Sequence, residues 1–153
     1  MCVLRASGEK FDVDEFLRSS SLKPCAVHRR SEAGPRGAHE ASGLSIAVSG
    51  ASWSNLAAQV ADAERFIATH AKEIRDLVGF RGVEEVTLDF PLDLRVGAGV
   101  AAQFDRFPPS LVRAAGELGL GLELSLYPVA PEPTTSRHSA RRSAGRSRSA
   151  AAR

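Results

Sequence analysis

The sequence predicts an α+β domain built as a two-layer sandwich, in which a mainly antiparallel sheet carries its helices on one face. Two stretches, 86–96 and 120–126, alternate apolar with other side chains, as a strand with one buried face does. A third stretch, 55–78, repeats apolar side chains at steps of three and four, which is typical of an amphipathic helix. Strands and helices with these patterns require a layer of each kind.

The first half of the chain contains three short strands and one helix. Residues 1–6 form an apolar strand that Gly8 ends. Asp12 caps the following helix, since Glu15 three residues later completes a capping box. Stretches 26–30 and 44–49 predict a second and a third strand. The loop 31–43 between them is rich in Gly and polar residues and is predicted to be flexible.

The second half is organised around the strand 86–96, which is predicted to be the floor of the fold. The long helix begins after Ser54 or Asn55 and ends at Gly79. The strand follows, and Pro91 within it favours an edge position or a bulge because proline cannot donate a ladder hydrogen bond. A short helix starts at Pro109, and the strand 120–126 ends the series. The order β-α-β-β-α-β with an added α-β matches a ferredoxin-like arrangement with an extension.

Composition divides the chain after Tyr127. The region 128–153 holds six arginines and one acid, a net charge of +5, whereas the whole chain carries +2, so residues 1–127 sum to −3. From residue 134 onward no apolar side chain is larger than alanine, and such a segment cannot bury enough surface to offset its chain entropy. The prediction is a single domain over 1–127 followed by a disordered basic tail over 128–153.

Several classes of protein and of site are not favoured by the sequence. It has neither a secretory signal pattern nor an apolar run long enough to span a membrane, which predicts a cytoplasmic protein. Cys2 and Cys25 are expected to be free thiols. The four histidines have no metal-ligand spacing. We therefore expect no catalytic residue, no metal and no cofactor.

One stretch, 97–102, fits the G-x-G-x-x-A shape of a dinucleotide fingerprint. That fingerprint requires a helix to begin in the turn and hold the pyrophosphate at its N-terminus. Pro108 and Pro109 limit any such helix to about two turns. A flexible Gly/Ala turn is the favoured interpretation.

Acidic side chains on the second row of the 86–96 strand are candidate protein-binding residues. Asp89 and Asp93 should face solvent if the apolar row lies under the helices. This pattern fits either a solvated sheet face or a patch that docks a basic partner. Trp53, directly before the long helix, is expected to plug the end of the core, with a contact role as the alternative. The full candidate set is Trp53, Glu85, Asp89, Asp93 and Arg95.

Basic side chains form two candidate sites for anions or nucleic acid. His28, Arg29 and Arg30 make a small cluster beside the 31–43 loop, read either as an anion site or as a solvated strand edge. The tail offers mobile cations for phosphate contact but no interleaved aromatic side chains to stack on bases. Weak nucleic-acid association is therefore the expectation for the tail residues Arg141, Arg142, Arg146 and Arg148.

Four stretches together resemble a family of small bacterial proteins classed as a domain of unknown function, number forty-two seventy-nine. They are Gly8-x-x-Phe11-Asp12-Val13-Asp14-Glu15, Leu22-Lys23-Pro24, Ser52-Trp53 and the run from Leu118 to Tyr127. The resemblance covers most of residues 1–127 and none of the tail. It implies an α+β sheet domain of uncharacterised activity and transfers no catalytic residue.

The leading hypothesis from the sequence is a non-enzymatic domain that binds another protein, with immunity and antitoxin proteins as a candidate class. The domain is expected to be a monomer or a homodimer formed through a sheet edge. Two alternatives stay open. One is an enzyme or small-ligand binder with a site built from the loops 31–43 and 97–107, and the other is nucleic-acid association through the tail.

Overall fold

The computed structural model describes residues 1–35, 37–97, 99 and 101–128. Within these residues the chain forms three helices and seven strands, which confirms the predicted α+β class. The elements are β1 Val3–Gly8, α1 Val13–Ser19, β2 Ala26–His28, β3 Ala33–Gly34, β4 Gly37–Ala38, β5 Ser42–Ala47, α2 Leu56–Val78, β6 Glu85–Leu94, α3 Pro109–Glu117 and β7 Gly121–Pro128. No helix in this part of the chain is long and apolar enough to cross a membrane.

The main sheet has five strands in the order β2-β5-β1-β6-β7. β1 lies at its centre and is antiparallel to β5 and to β6, and β2 pairs antiparallel with the other side of β5. β7 is parallel to β6, so the sheet is mixed. Each of the three helices therefore connects two parallel strands. The α1 and α2 connections each pass over one intervening strand.

All three helices cover the same face of the sheet. α2 contacts β6 and α3, and α3 contacts β7. Phe16 of α1 packs edge-on against Phe80, which follows α2, with ring centroids 5.3 Å apart. This single helical layer buries the inward row of the strands and leaves the other face of the sheet without a helical cover.

The predicted apolar row of β6 is confirmed: Val86, Leu88, Phe90 and Leu92 are all buried under the helices. The strand is shorter than predicted, because it ends at Leu94 and Val96 is exposed beyond it. β7 is longer than predicted and includes Pro128, a residue that the prediction assigned to the tail. The remainder of the predicted tail, 129–153, lies outside the described residues.

Pro91 does not mark an edge strand, since β6 lies between β1 and β7. β1 begins at Val3, which pairs with Asp89, so Pro91 lies past the end of β1. The Pro91 carbonyl oxygen instead accepts a hydrogen bond from the Gln59 side chain at 3.0 Å. On the side of β6 that faces β1, the strand pairing has already ended at Pro91. The missing N–H of the proline therefore breaks no ladder hydrogen bond.

The helix starts agree with the predicted caps. Asp12 accepts a hydrogen bond from the backbone N–H of Glu15 at 2.8 Å, and Asn55 accepts one from Ala58 at 3.0 Å. The loop 31–43 contains the small β3–β4 hairpin, which was not predicted. Strands of two residues are too short to show an alternating pattern.

Candidate functional site

The sheet face opposite the helices is the candidate site and is called the open face below. Directly paired residues of neighbouring strands share a face, so the register identifies its members. They are Val3, Arg5 and Ser7 of β1; Ala26 and His28 of β2; Gly43, Ser45 and Ala47 of β5; Glu85, Thr87, Asp89, Pro91 and Asp93 of β6; and Gly121, Glu123, Ser125 and Tyr127 of β7. This set contains one arginine and four carboxylates, a net charge of −3 with histidine neutral.

Asp89 lies on the open face but is buried, with only 1% of the residue exposed. The Arg5 guanidinium reaches its Oδ2 at 2.5 Å, and the Ser125 hydroxyl donates to its Oδ1 at 2.6 Å. The prediction that Asp89 faces solvent as a docking residue is therefore wrong. Its strand lies between β1 and β7, and side chains from both neighbours close over the carboxylate.

The exposed negative charge of the open face comes from three other residues. Glu85 and Glu123 are exposed, and Asp93 is half-buried. Glu123 lies 3.8 Å from Arg5, whose guanidinium is already bound to Asp89. Because Arg5 is occupied in this way, the face presents Glu85 at one end, Glu123 in the middle and Asp93 at the other end.

An aromatic pair stands at the Asp93 end of the open face. The Trp53 and Tyr127 rings stack with centroids 4.8 Å apart and planes 27° from parallel. Trp53 is 41% exposed and Tyr127 40%, so the expectation that Trp53 plugs the core is wrong. Tyr127 pairs with Asp93 in the register, and the Asp93 N–H donates to the Trp53 carbonyl oxygen at 3.4 Å. These contacts place the indole at the rim of the sheet.

Gln59 of α2 fastens the loop that carries Trp53 to the sheet. It is fully buried, and its Nε2 donates to the carbonyl oxygens of Ser52 at 3.1 Å and Pro91 at 3.0 Å. Its Oε1 has no hydrogen-bond partner among the described residues. No pattern in the sequence singles out this glutamine, because a polar residue beside an apolar stripe is usually exposed.

Replacing Gln59 with methionine is expected to lower the free energy of unfolding by about 2 kcal/mol. The substitution keeps the side-chain volume but takes the Gln59 donor from the buried Pro91 carbonyl oxygen, and leaves the Ser52 carbonyl oxygen with the Asn55 N–H alone. The measurement is urea denaturation followed by circular dichroism and by the fluorescence of Trp53, the only tryptophan. Thr69→Val, at an exposed position of the same helix, is the matched control. Equal stability of the two variants would contradict this role for Gln59.

Arg95 is not part of the open face, although it was a predicted member of the site. It follows the end of β6, and its guanidinium binds Asp105 at 2.7 Å. Its backbone N–H donates to the Gln103 side chain at 2.8 Å. These contacts hold Arg95 against the loop that leads to α3.

The predicted basic cluster at the end of β2 is largely paired with carboxylates. Arg29 makes two hydrogen bonds to Asp14, at 2.7 and 2.9 Å, and Arg30 lies 3.9 Å from Glu9. The hydrogen bond with Arg29 lowers the pKa of the Asp14 carboxyl. Ion pairing of this kind favours the solvated strand edge over the anion-site interpretation.

His28 stacks on His39, with ring centroids 4.6 Å apart. Partial burial and, to a smaller extent, the neighbouring His39 lower the pKa of His28. The histidine is therefore disfavoured in its charged form, which weakens its contribution to any anion site.

Among their described residues, the loops 31–43 and 97–107 lie apart and form no common site. The first joins β2 to β5 at one edge of the sheet, and the second follows β6 near the opposite edge. Three intervening steps at a strand spacing of about 4.8 Å separate β2 from β6. The cleft beside the first loop is lined by residues around His28 and His39, with no contribution from the second. A site shared by both loops is thus not formed.

Within the ranges 1–35, 37–97, 99 and 101–128, no group of three or more His, Cys, Asp or Glu side chains could hold a metal ion. Both cysteines are free thiols. Burial raises the pKa of the Cys2 thiol to about 12, which keeps it protonated and unreactive. Residues 101–108 contain no helix, so the helix start that a dinucleotide fingerprint needs is missing there.

The predicted tail residues Arg141, Arg142, Arg146 and Arg148 lie outside the described residues. Comparisons with protein-family models, curated proteins and solved structures gave no match. The resemblance to the family of unknown function thus stays a prediction.

Proposed function

We propose that this chain is a non-enzymatic protein-binding domain whose open face binds a basic partner, with immunity and antitoxin proteins as a candidate class. One observation carries the proposal. A sheet face without helical cover has a net charge of −3 and an exposed Trp–Tyr pair at its rim. Complementary charge accelerates encounter and fixes orientation, while aromatic side chains supply most of the affinity in many interfaces.

The Trp53 end of the face is the proposed anchor. Asp93 lies opposite Tyr127 on the neighbouring strand, so a partner lysine or arginine there contacts a carboxylate and an aromatic ring together, and Glu123 adds a second carboxylate farther along β7. A cation held over an indole ring gains about 0.5 to 2 kcal/mol in addition to its ion pair. The other end of the face offers Glu85 as a second acidic contact.

Small side chains across the middle of the open face favour a flat, closely fitting partner. Ala26, Ser45 and Gly121 lie in one row across the sheet with Thr87 and Arg5, and the Arg5 guanidinium extends out of this row to Asp89. Such a row lets a partner approach near the backbone. We infer that the partner presents a flat basic surface rather than a deep cleft.

We also propose that the elements β1, α1, β2, β5, α2 and β6 form the ferredoxin-like part of the fold, to which α3 and β7 are added. This is supported by the two connections that pass over one strand: β1 to β2 over β5, and β5 to β6 over β1. Split β-α-β units of this kind characterise that arrangement.

The binding proposal is tested by titrating the full chain with an arginine-rich peptide and recording amide and indole NMR signals. We expect shifts confined to the open face, including the Trp53 indole N–H. Glu85→Lys/Glu123→Lys should weaken peptide binding at least tenfold, which is about 1.4 kcal/mol. The matched control is Glu73→Lys/Glu117→Lys on the helical side, which changes net charge equally.

Two results would contradict the proposal. One is equal loss of binding in both double variants, which would mean that only net charge matters. The other is a set of shifts that avoids the open face. Salt identifies the first of these results, because binding through net charge alone is lost at moderate salt and has no selective effect on the indole signal.

A further inference from the structure

β7 is a long edge strand. Gly121–Pro128 pairs with β6 along one side, and no described strand pairs with its other side. The edge strand at the opposite end of the sheet, β2, has three residues. A strand edge of this length displays a row of backbone donors and acceptors to solvent.

The outward-pointing residues of β7 can be identified from β6. The Pro91 carbonyl and the Asp93 N–H both bond away from β7, to Gln59 and Trp53. Successive residues of a strand direct their backbone groups to opposite sides. The alternate residues of β6, such as Leu92, therefore direct theirs toward β7. In the parallel pairing this leaves Leu122, Leu124 and Leu126 of β7 with N–H and C=O groups directed outward.

The same edge exposes apolar side chains. On the helical side of the sheet, Leu124 is 37% exposed and Leu126 45%. Val112 of α3 is also exposed. Ala114, two residues later and so on roughly the opposite side of the helix, packs against the core, which puts Val112 on the outer side of α3. Edge strands are commonly protected by lysine, by proline or by shortness. β7 has a proline only at its last position and no lysine.

We propose that β7 pairs antiparallel with β7 of a second copy of this chain, which joins two five-stranded sheets into one of ten strands. The occupant is a second copy because the edge is complementary to itself. With a two-fold axis between the two Ser125 residues, Leu124 of each copy lies opposite Leu126 of the other. Four leucines then cover one another on the helical side of the seam.

The charges of β7 favour this register. Glu123 of one copy lies opposite Tyr127 of the other, within reach of its phenol hydroxyl, and the two Glu123 carboxylates stay far apart. A two-fold axis at Leu124 would instead bring the two carboxylates two pairing positions closer. Like charges at such diagonal positions of an antiparallel pair lie about 7 to 8 Å apart and repel each other.

Sedimentation equilibrium of the full chain tests the dimer. We expect a reversible dimer, and Leu124→Lys/Leu126→Lys should weaken it at least 100-fold because four ammonium groups would meet across the seam. Ala68→Lys/Thr69→Lys, at exposed positions of α2, adds the same charge away from β7 and should leave the dimer constant unchanged. A wild-type chain that is monomeric throughout, or a folded double lysine variant that still dimerises, would overturn the proposal.

Two further measurements test the pairing without the lysine variant and so remain valid if that variant does not fold. The Leu124 and Leu126 amides of the wild-type chain should gain hydrogen-exchange protection as protein concentration rises, and absence of that gain would contradict the pairing. Ser125→Cys in a Cys25→Ser background should form an intermolecular disulfide on mild oxidation. A disulfide from Leu124→Cys but not from Ser125→Cys would overturn the register. None of these readouts depends on peptide binding at the open face.

Discussion

Replacing Gly8 with alanine is expected to lower the free energy of unfolding by about 3 kcal/mol or more. A Cβ on Gly8 would overlap the carbonyl oxygen of Gly82, which is a backbone atom and cannot rotate away. Gly82 is itself restricted, because its φ of 85° disfavours any side chain and a Cβ there would overlap the Lys10 carbonyl. The end of β1 and the turn before β6 therefore touch backbone to backbone.

Urea denaturation followed by circular dichroism measures this effect, and Gly116→Ala provides the matched control. Gly116 lies in α3, where a Cβ would meet open space. Alanine there should raise stability by up to about 1 kcal/mol through helix propensity. If Gly8→Ala lowers the free energy of unfolding by less than Gly116→Ala raises it, the two backbone segments are not in close contact.

Replacing Arg5 with methionine is expected to cost about 2 to 3 kcal/mol of folding stability. The variant leaves the buried Asp89 carboxylate with the Ser125 hydroxyl as its remaining side-chain donor. Breaking a fully buried ion pair costs about 3 to 5 kcal/mol. The Arg5 side chain is 44% exposed, so water screens part of the interaction and the lower value applies.

A double-mutant cycle separates the ion pair from the packing of the two side chains. Arg5→Met/Asp89→Leu should recover most of the loss, because neither change leaves an unpaired charge. Arg30→Met is the control, since Arg30 and Glu9 are both exposed and 3.9 Å apart, and it should cost less than about 0.5 kcal/mol. An additive cycle, with no coupling between Arg5 and Asp89, would refute the interpretation.

Features that depend on neighbouring residues in the chain could be predicted from the sequence. The caps at Asp12 and Asn55 bond to backbone groups three residues away, so the local pattern contains all the information. The apolar row of β6 was also predicted, because alternation alone determines which side chains share a face. The coarse α+β class follows from such patterns.

Features that depend on which strands become neighbours could not be predicted in this way. Asp89 has the alternation of an exposed residue, yet Arg5 and Ser125 bury it from the two adjacent strands. Pro91 has the composition signal of an edge strand, yet it lies inside the sheet where β1 has ended.

The same limit applied to the candidate site. Glu85 and Asp93 were found from their spacing, whereas Tyr127 and Gln59 were missed. Tyr127 becomes part of the site because β7 pairs in parallel with β6, and Gln59 because α2 crosses the end of β1. One signal in the sequence was available: Tyr127 occupies the same alternating row as Glu123.

The central position of β1 has a consequence for synthesis on the ribosome. β1 emerges first, but its two partners are β5 and the much later β6. Until residue 94 has left the exit tunnel, one side of the central strand has no native partner. Pairings between such distant segments form slowly and leave apolar strands exposed in the meantime. We therefore expect the nascent chain to be a chaperone substrate, and folding of the sheet to be completed only after β6 is released.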